Sequence, residues 1–64
     1  MNRTEALEQD VRGEIYADRD ETGTWLVLGT ESGFCYASPA SKEDAEARAS
    51  ELNQLLDKRR ISQG

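Results

Sequence analysis

Residues Trp25-Leu26-Val27-Leu28 set four apolar side chains in succession between Gly23 and Gly29. A strand with one face in water alternates apolar with polar residues, so an unbroken apolar run predicts a strand covered on both faces. It carries no proline and no charge, which suits a central position in a sheet. Whatever covers its two faces decides both the fold and the surface left for function.

The flanking sequence supplies its neighbours. Upstream, Glu14-Ile15-Tyr16-Ala17-Asp18-Arg19 alternates loosely, and Asp20-Glu21-Thr22-Gly23 follows as a polar turn with a glycine free to take positive φ. Downstream, Gly29-Thr30-Glu31-Ser32-Gly33 forms a second turn before Phe34 to Ala37. Links this short join antiparallel strands, because a parallel link needs a dozen residues or more. The stretch 14–38 therefore reads as a three-stranded antiparallel meander with Trp25 to Leu28 in the middle.

A helix follows over 42–60. Ser41 stands at its N-cap with Asp44 in the reciprocal position of a capping box, and Pro39 keeps the incoming chain extended. Ala45, Ala49, Leu52 and Leu56 recur at spacings of four, three and four, one face of a helix, with Leu55 flanking. Acids Glu43, Asp44 and Glu46 open the segment and Lys58, Arg59 and Arg60 close it, which complements the helix dipole. Ser62-Gln63-Gly64 is expected to fray.

Residues 1–12 allow two readings. Thr4 caps a short helix carrying Leu7 and Val11 and ended by Gly13, the reading favoured here, or Leu7, Gln9 and Val11 alternate as an edge strand. The whole is an α+β fold in one small domain, 1–64: a three-stranded β-meander packed against one long C-terminal helix, with a short N-terminal helix. Such a small chain buries only about 60% of its unfolded surface and sits near the margin of stability. One cysteine and no histidine leave it without an internal disulfide or the usual zinc sets, so self-association is a natural further source of stability.

Period two sorts the strands into an aliphatic set, Ile15, Ala17, Leu26, Leu28, Cys35 and Ala37, and an aromatic set, Tyr16, Trp25, Val27, Phe34 and Tyr36. The small residues of the aliphatic set and of the helix stripe favour close packing there. The aromatic set then becomes the candidate interaction surface, covered by the N-terminal segment, a second copy or another protein.

The chain carries 13 acidic and 8 basic residues, net -5. Asp18, Asp20, Glu21, Glu31, Glu43, Asp44 and Glu46 make a candidate acidic surface, which repels nucleic acid phosphates and suits a basic protein or plain solubility. With no membrane-spanning run and a lone Cys35 set as a small hydrophobe between Phe34 and Tyr36, the expected setting is the cytoplasm, away from membranes.

Enzymatic chemistry is not expected. Histidine is absent, and the carboxylates fall in turns or on the solvated side of the helix, where no cleft separates their pKa values. Asp18 to Gly23 lacks the ligand spacing of a calcium loop, and Gly29 to Gly33 lacks the lysine and helix start of a phosphate loop. No cofactor and no metal site is expected. Three short strands followed by a helix opened by Ser41-Lys42-Glu43-Asp44-Ala45 resemble in architecture, over 14–60, the arm-binding domains of tyrosine recombinases. Those domains read DNA with a basic sheet and this sheet is acidic, so no function is carried across. The expectation is a small non-catalytic protein-interaction or regulatory module, an inhibitor or homodimer. The alternative is a nucleic-acid-binding module that stacks bases on Tyr16, Trp25 and Phe34.

Overall fold

The computed structural model describes residues 1–63 and the side chains of residues 1–61. The chain runs α1 (Arg3–Asp10), β1 (Ile15–Arg19), β2 (Trp25–Gly29), β3 (Cys35–Ala37) and α2 (Lys42–Gln63). The strands form one antiparallel sheet in the order β1-β2-β3. The apolar run is thus the central strand, as its composition requires.

Local chemistry explains each junction. Asn2 caps α1, its side-chain oxygen accepting from Glu5 N at 2.9 Å, so the cap lies two residues ahead of the expected Thr4. Asp20 builds the β1–β2 turn by accepting from Thr22 N, Thr22 Oγ1 and Thr24 N, and Gly23 takes φ +85°. Ser41 Oγ accepts from Asp44 N at 3.2 Å and opens α2. That helix stays helical through Gln63, past the expected end at Arg60; Gly64 lies outside the described residues.

Register corrects the assignment of faces. Ala17 pairs with Val27 and Arg19 with Trp25. Directly paired residues point to the same side, so Trp25 and Val27 belong with Ile15 and Ala17, not with Tyr16. The α2 stripe of Ala45, Ala49, Leu52 and Leu56 packs on that face, together with Leu7 from α1. Val27 is fully buried at its centre. The N-terminal segment is helical as favoured, yet it joins α2 on the same side and does not cover the second face. Both helices therefore lie on one side of the sheet.

Two side chains fasten α2 to the rest. Ile15 N donates to Asn53 Oδ1 and Asn53 Nδ2 donates back to Ile15 O, both at 2.8 Å, which satisfies the backbone groups of Ile15 on the β1 edge. Arg60 donates to the carbonyls of Val11 and Gly13 and pairs with Asp57. Its charge thus neutralises the C-terminal end of α1 as well as that of its own helix. Among the described residues no helix is long and apolar enough to cross a membrane.

Candidate functional site

The face opposite the helices carries Tyr16, Leu26, Leu28 and Cys35, with the exposed Asp18 paired to Leu26 at its β1–β2 turn end. Tyr16 pairs with Leu28 and Leu28 with Cys35, so these three form a row across all strands. Leu26 stands beside them, two residues along β2 from Leu28. Tyr16 is 42% exposed, Cys35 is exposed, and the two leucines are half-buried by their neighbours alone. This row is what lies on the second face of the apolar run.

The five residues of the aromatic set do not make one surface. Tyr16 is on the open face. Trp25 is half-buried against the core, with the Arg19 guanidinium 5.5 Å from its ring centroid, a cation–π arrangement. Val27 is in the core. Phe34 and Tyr36 meet edge to face with centroids 5.0 Å apart, and Tyr36 packs against the core. A bulge between Val27 and Leu28 shifts the β2–β3 register, so period two does not carry through to β3. Consequently Tyr16, Trp25 and Phe34 do not share a ring platform.

Tyr36 instead belongs to a polar knot that the sequence did not advertise. The Asp10 carboxylate, fully buried, accepts from Glu31 N at 3.0 Å, Ser32 N at 2.9 Å, Ser32 Oγ at 2.6 Å and Tyr36 Oη. Burial raises the Asp10 pKa, but the bonds from Ser32, Tyr36 and Glu31 more than offset it and hold the carboxyl below its ordinary value. Tyr36 is pushed up, first by burial and then because its neutral hydroxyl donates to the carboxylate. With every oxygen of Asp10 engaged in tying α1 to the β2–β3 turn, the pair is a structural fastening.

The acidic residues separate into two groups. Ser38 Oγ donates to Trp25 O, so the chain enters α2 at the end of the sheet that holds the β1–β2 turn. Asp18, Asp20, Glu21, Glu43, Asp44 and Glu46 therefore gather at that end, while Glu31 lies in the β2–β3 turn at the other. All seven are exposed. Asp20 is held below its ordinary pKa, first by the Thr22 hydroxyl and then by the Thr24 N–H. Glu46 pairs loosely with Lys42 at 4.0 Å.

No protein family, curated protein or solved structure matches the chain.

Proposed function

We propose that this chain is a small non-catalytic module that binds another protein through the open sheet face, with the acidic end of the domain steering a basic partner. The observation that supports this reading is the row Tyr16–Leu28–Cys35 with Leu26, an apolar surface that neither helix covers. Uncovered apolar area of this kind is characteristic of interaction sites. Six carboxylates at one end of it, Asp18 beside Leu26 on the face and five beyond, favour encounter with a positively charged surface, an effect that salt weakens. Such a contact suits a cytoplasmic regulator or inhibitor. A nucleic-acid role has less support, because the three rings it would use are dispersed over different surroundings.

Cys35 offers a direct test, since its exposed thiol sits on the proposed surface. A photoreactive maleimide on Cys35 is expected to cross-link a defined basic partner in lysate, and Leu28→Glu is expected to abolish that product while the circular dichroism melt stays close to that of the parent. Equal cross-linking by the Leu28→Glu chain would refute the open face as the contact.

A further inference from the structure

The two edges of the sheet are protected unequally. On β1, Asn53 takes both outward backbone groups of Ile15, and Asp18 and Arg19 place charge along the strand. On β3, the strand is the uncharged Cys35-Tyr36-Ala37, protected by its shortness and its bulge and by no charge. Among the described residues, the one side chain that bonds its backbone is Cys35 itself, whose Sγ is a weak donor 3.4 Å from Ala37 O.

Beside this uncharged edge, two adjoining hollows of about 480 and 460 Å³ run along α2. Asp44, Ala47, Arg48, Glu51, Leu52 and Leu55 wall them, a spacing that marks one stripe of the helix next to its core stripe. Ala37 lines both hollows, and Arg3 from α1 stands at the Leu55 end.

In order along the groove the charges are Asp44, Arg48, Glu51 and Arg3: negative, positive, negative, positive. A two-fold axis between Arg48 and Glu51 reverses the order, so every charge meets its opposite. Within one chain Arg48 and Glu51 pair loosely at 3.7 Å. Across the axis Arg48 of one copy faces Glu51 of the other, so the two pairs merge into a four-charge cluster, and Asp44 faces the end that holds Arg3 and Leu55. Self-complementarity of this kind is what an isologous interface requires. We propose that the β3 edge and the α2 groove together bind a second copy of this chain, with the two β3 strands antiparallel in one continuous sheet.

A stable interface takes about 800 Å² from each partner, roughly a fifth of the 4382 Å² surface of this chain. Three residues of strand edge fall short of that, which is why the helix groove is part of the contact. The pairing uses the backbone edge of β3 and the side of α2, leaves the Cys35 side chain on the open face, and would set two such faces side by side.

Sedimentation equilibrium at low salt, from micromolar to millimolar protein, tests the proposal. The unmodified chain is expected to form a reversible dimer. Arg48→Glu and Glu51→Arg each make both central pairs repulsive, and each is expected to weaken the dimer about tenfold. An equimolar mixture of the two variants restores opposite charges across the axis and is expected to form a heterodimer tighter than either variant alone. Both residues are exposed, and circular dichroism confirms that the variants fold. A chain that stays monomeric at every concentration overturns the proposal, as do single variants that dimerise like the parent, or a mixture no tighter than its components.

Discussion

Asp10 Oδ2 occupies the place where a side chain on Gly29 would begin: a Cβ built there would lie 1.8 Å from it. Gly29 needs no special backbone angle, so the requirement is space alone. Gly29→Ala is expected to displace the carboxylate from its donors and to cost about 2–3 kcal/mol. For a domain this small that lowers the melting temperature by roughly 10 °C or more. Gly33→Ala meets no atom within 4 Å and suffers only from its φ of +70°, so it serves as the milder comparison. Urea unfolding of both variants checks the ranking.

The same knot sets the pH dependence of stability. Asp10 has a folded pKa below its ordinary 3.8. Its contribution is therefore complete above that value and is lost as pH falls through the lower folded one. Tyr36 is shifted the other way, above its ordinary 10.0, so its contribution is complete below pH 10 and is lost as pH rises beyond it. Melting temperature against pH is expected to fall on both sides of a neutral plateau. Asp10→Asn should lower the plateau and shallow its acid side, and Tyr36→Phe should shallow its alkaline side. An acid limb as steep in Asp10→Asn as in the parent would contradict the assignment; the residual slope belongs to groups such as Asp20.

The assignment of sheet faces is tested by two neighbouring residues of β2. Val27→Ala opens a cavity under both helices and is expected to cost about 2–3 kcal/mol. Leu28→Ala removes a larger side chain from the open face and is expected to cost under about 1.5 kcal/mol. Chemical denaturation separates them, and a Leu28→Ala cost above that of Val27→Ala would reverse the faces.

Asn53 does for Ile15 what a fourth strand would do. Asn53→Ala leaves one N–H and one C=O of the β1 edge without their partner, at an expected cost of about 1–2 kcal/mol. Asn53→Asp keeps the acceptor for Ile15 N but sets a carboxylate oxygen against Ile15 O, and should cost more. Amide exchange at Ile15, faster in Asn53→Ala than in Asn53→Asp, which keeps the acceptor, locates the effect at that edge.

The order and kind of elements were legible because each has a local cause: capping by Ser41, the four-three-four spacing from Ala45 to Leu56, and polar turns around Gly23 and Gly33. The faces of β2 were not legible, since Trp25, Leu26, Val27 and Leu28 are apolar on both sides and only pairing with β1 distinguishes them. The bulge beside Leu28 then hid the orientation of Tyr36. Asp10 gave no signal because its partners, Ser32 and Tyr36, are distant in sequence and Gly29 read as part of a turn. Asn53 did leave a trace. It is a polar residue beside Ala49, Leu52 and Leu56 on the core side of α2, a position that asks for a buried partner.

The knot around Asp10 also fixes an order of events. An eight-residue helix such as α1 has little stability by itself, and its last residue finds its donors only on Glu31, Ser32 and Tyr36. As the polypeptide emerges during translation, α1 must wait for the β2–β3 turn to be made before its last residue can find those donors, so this helix settles after the strands that follow it.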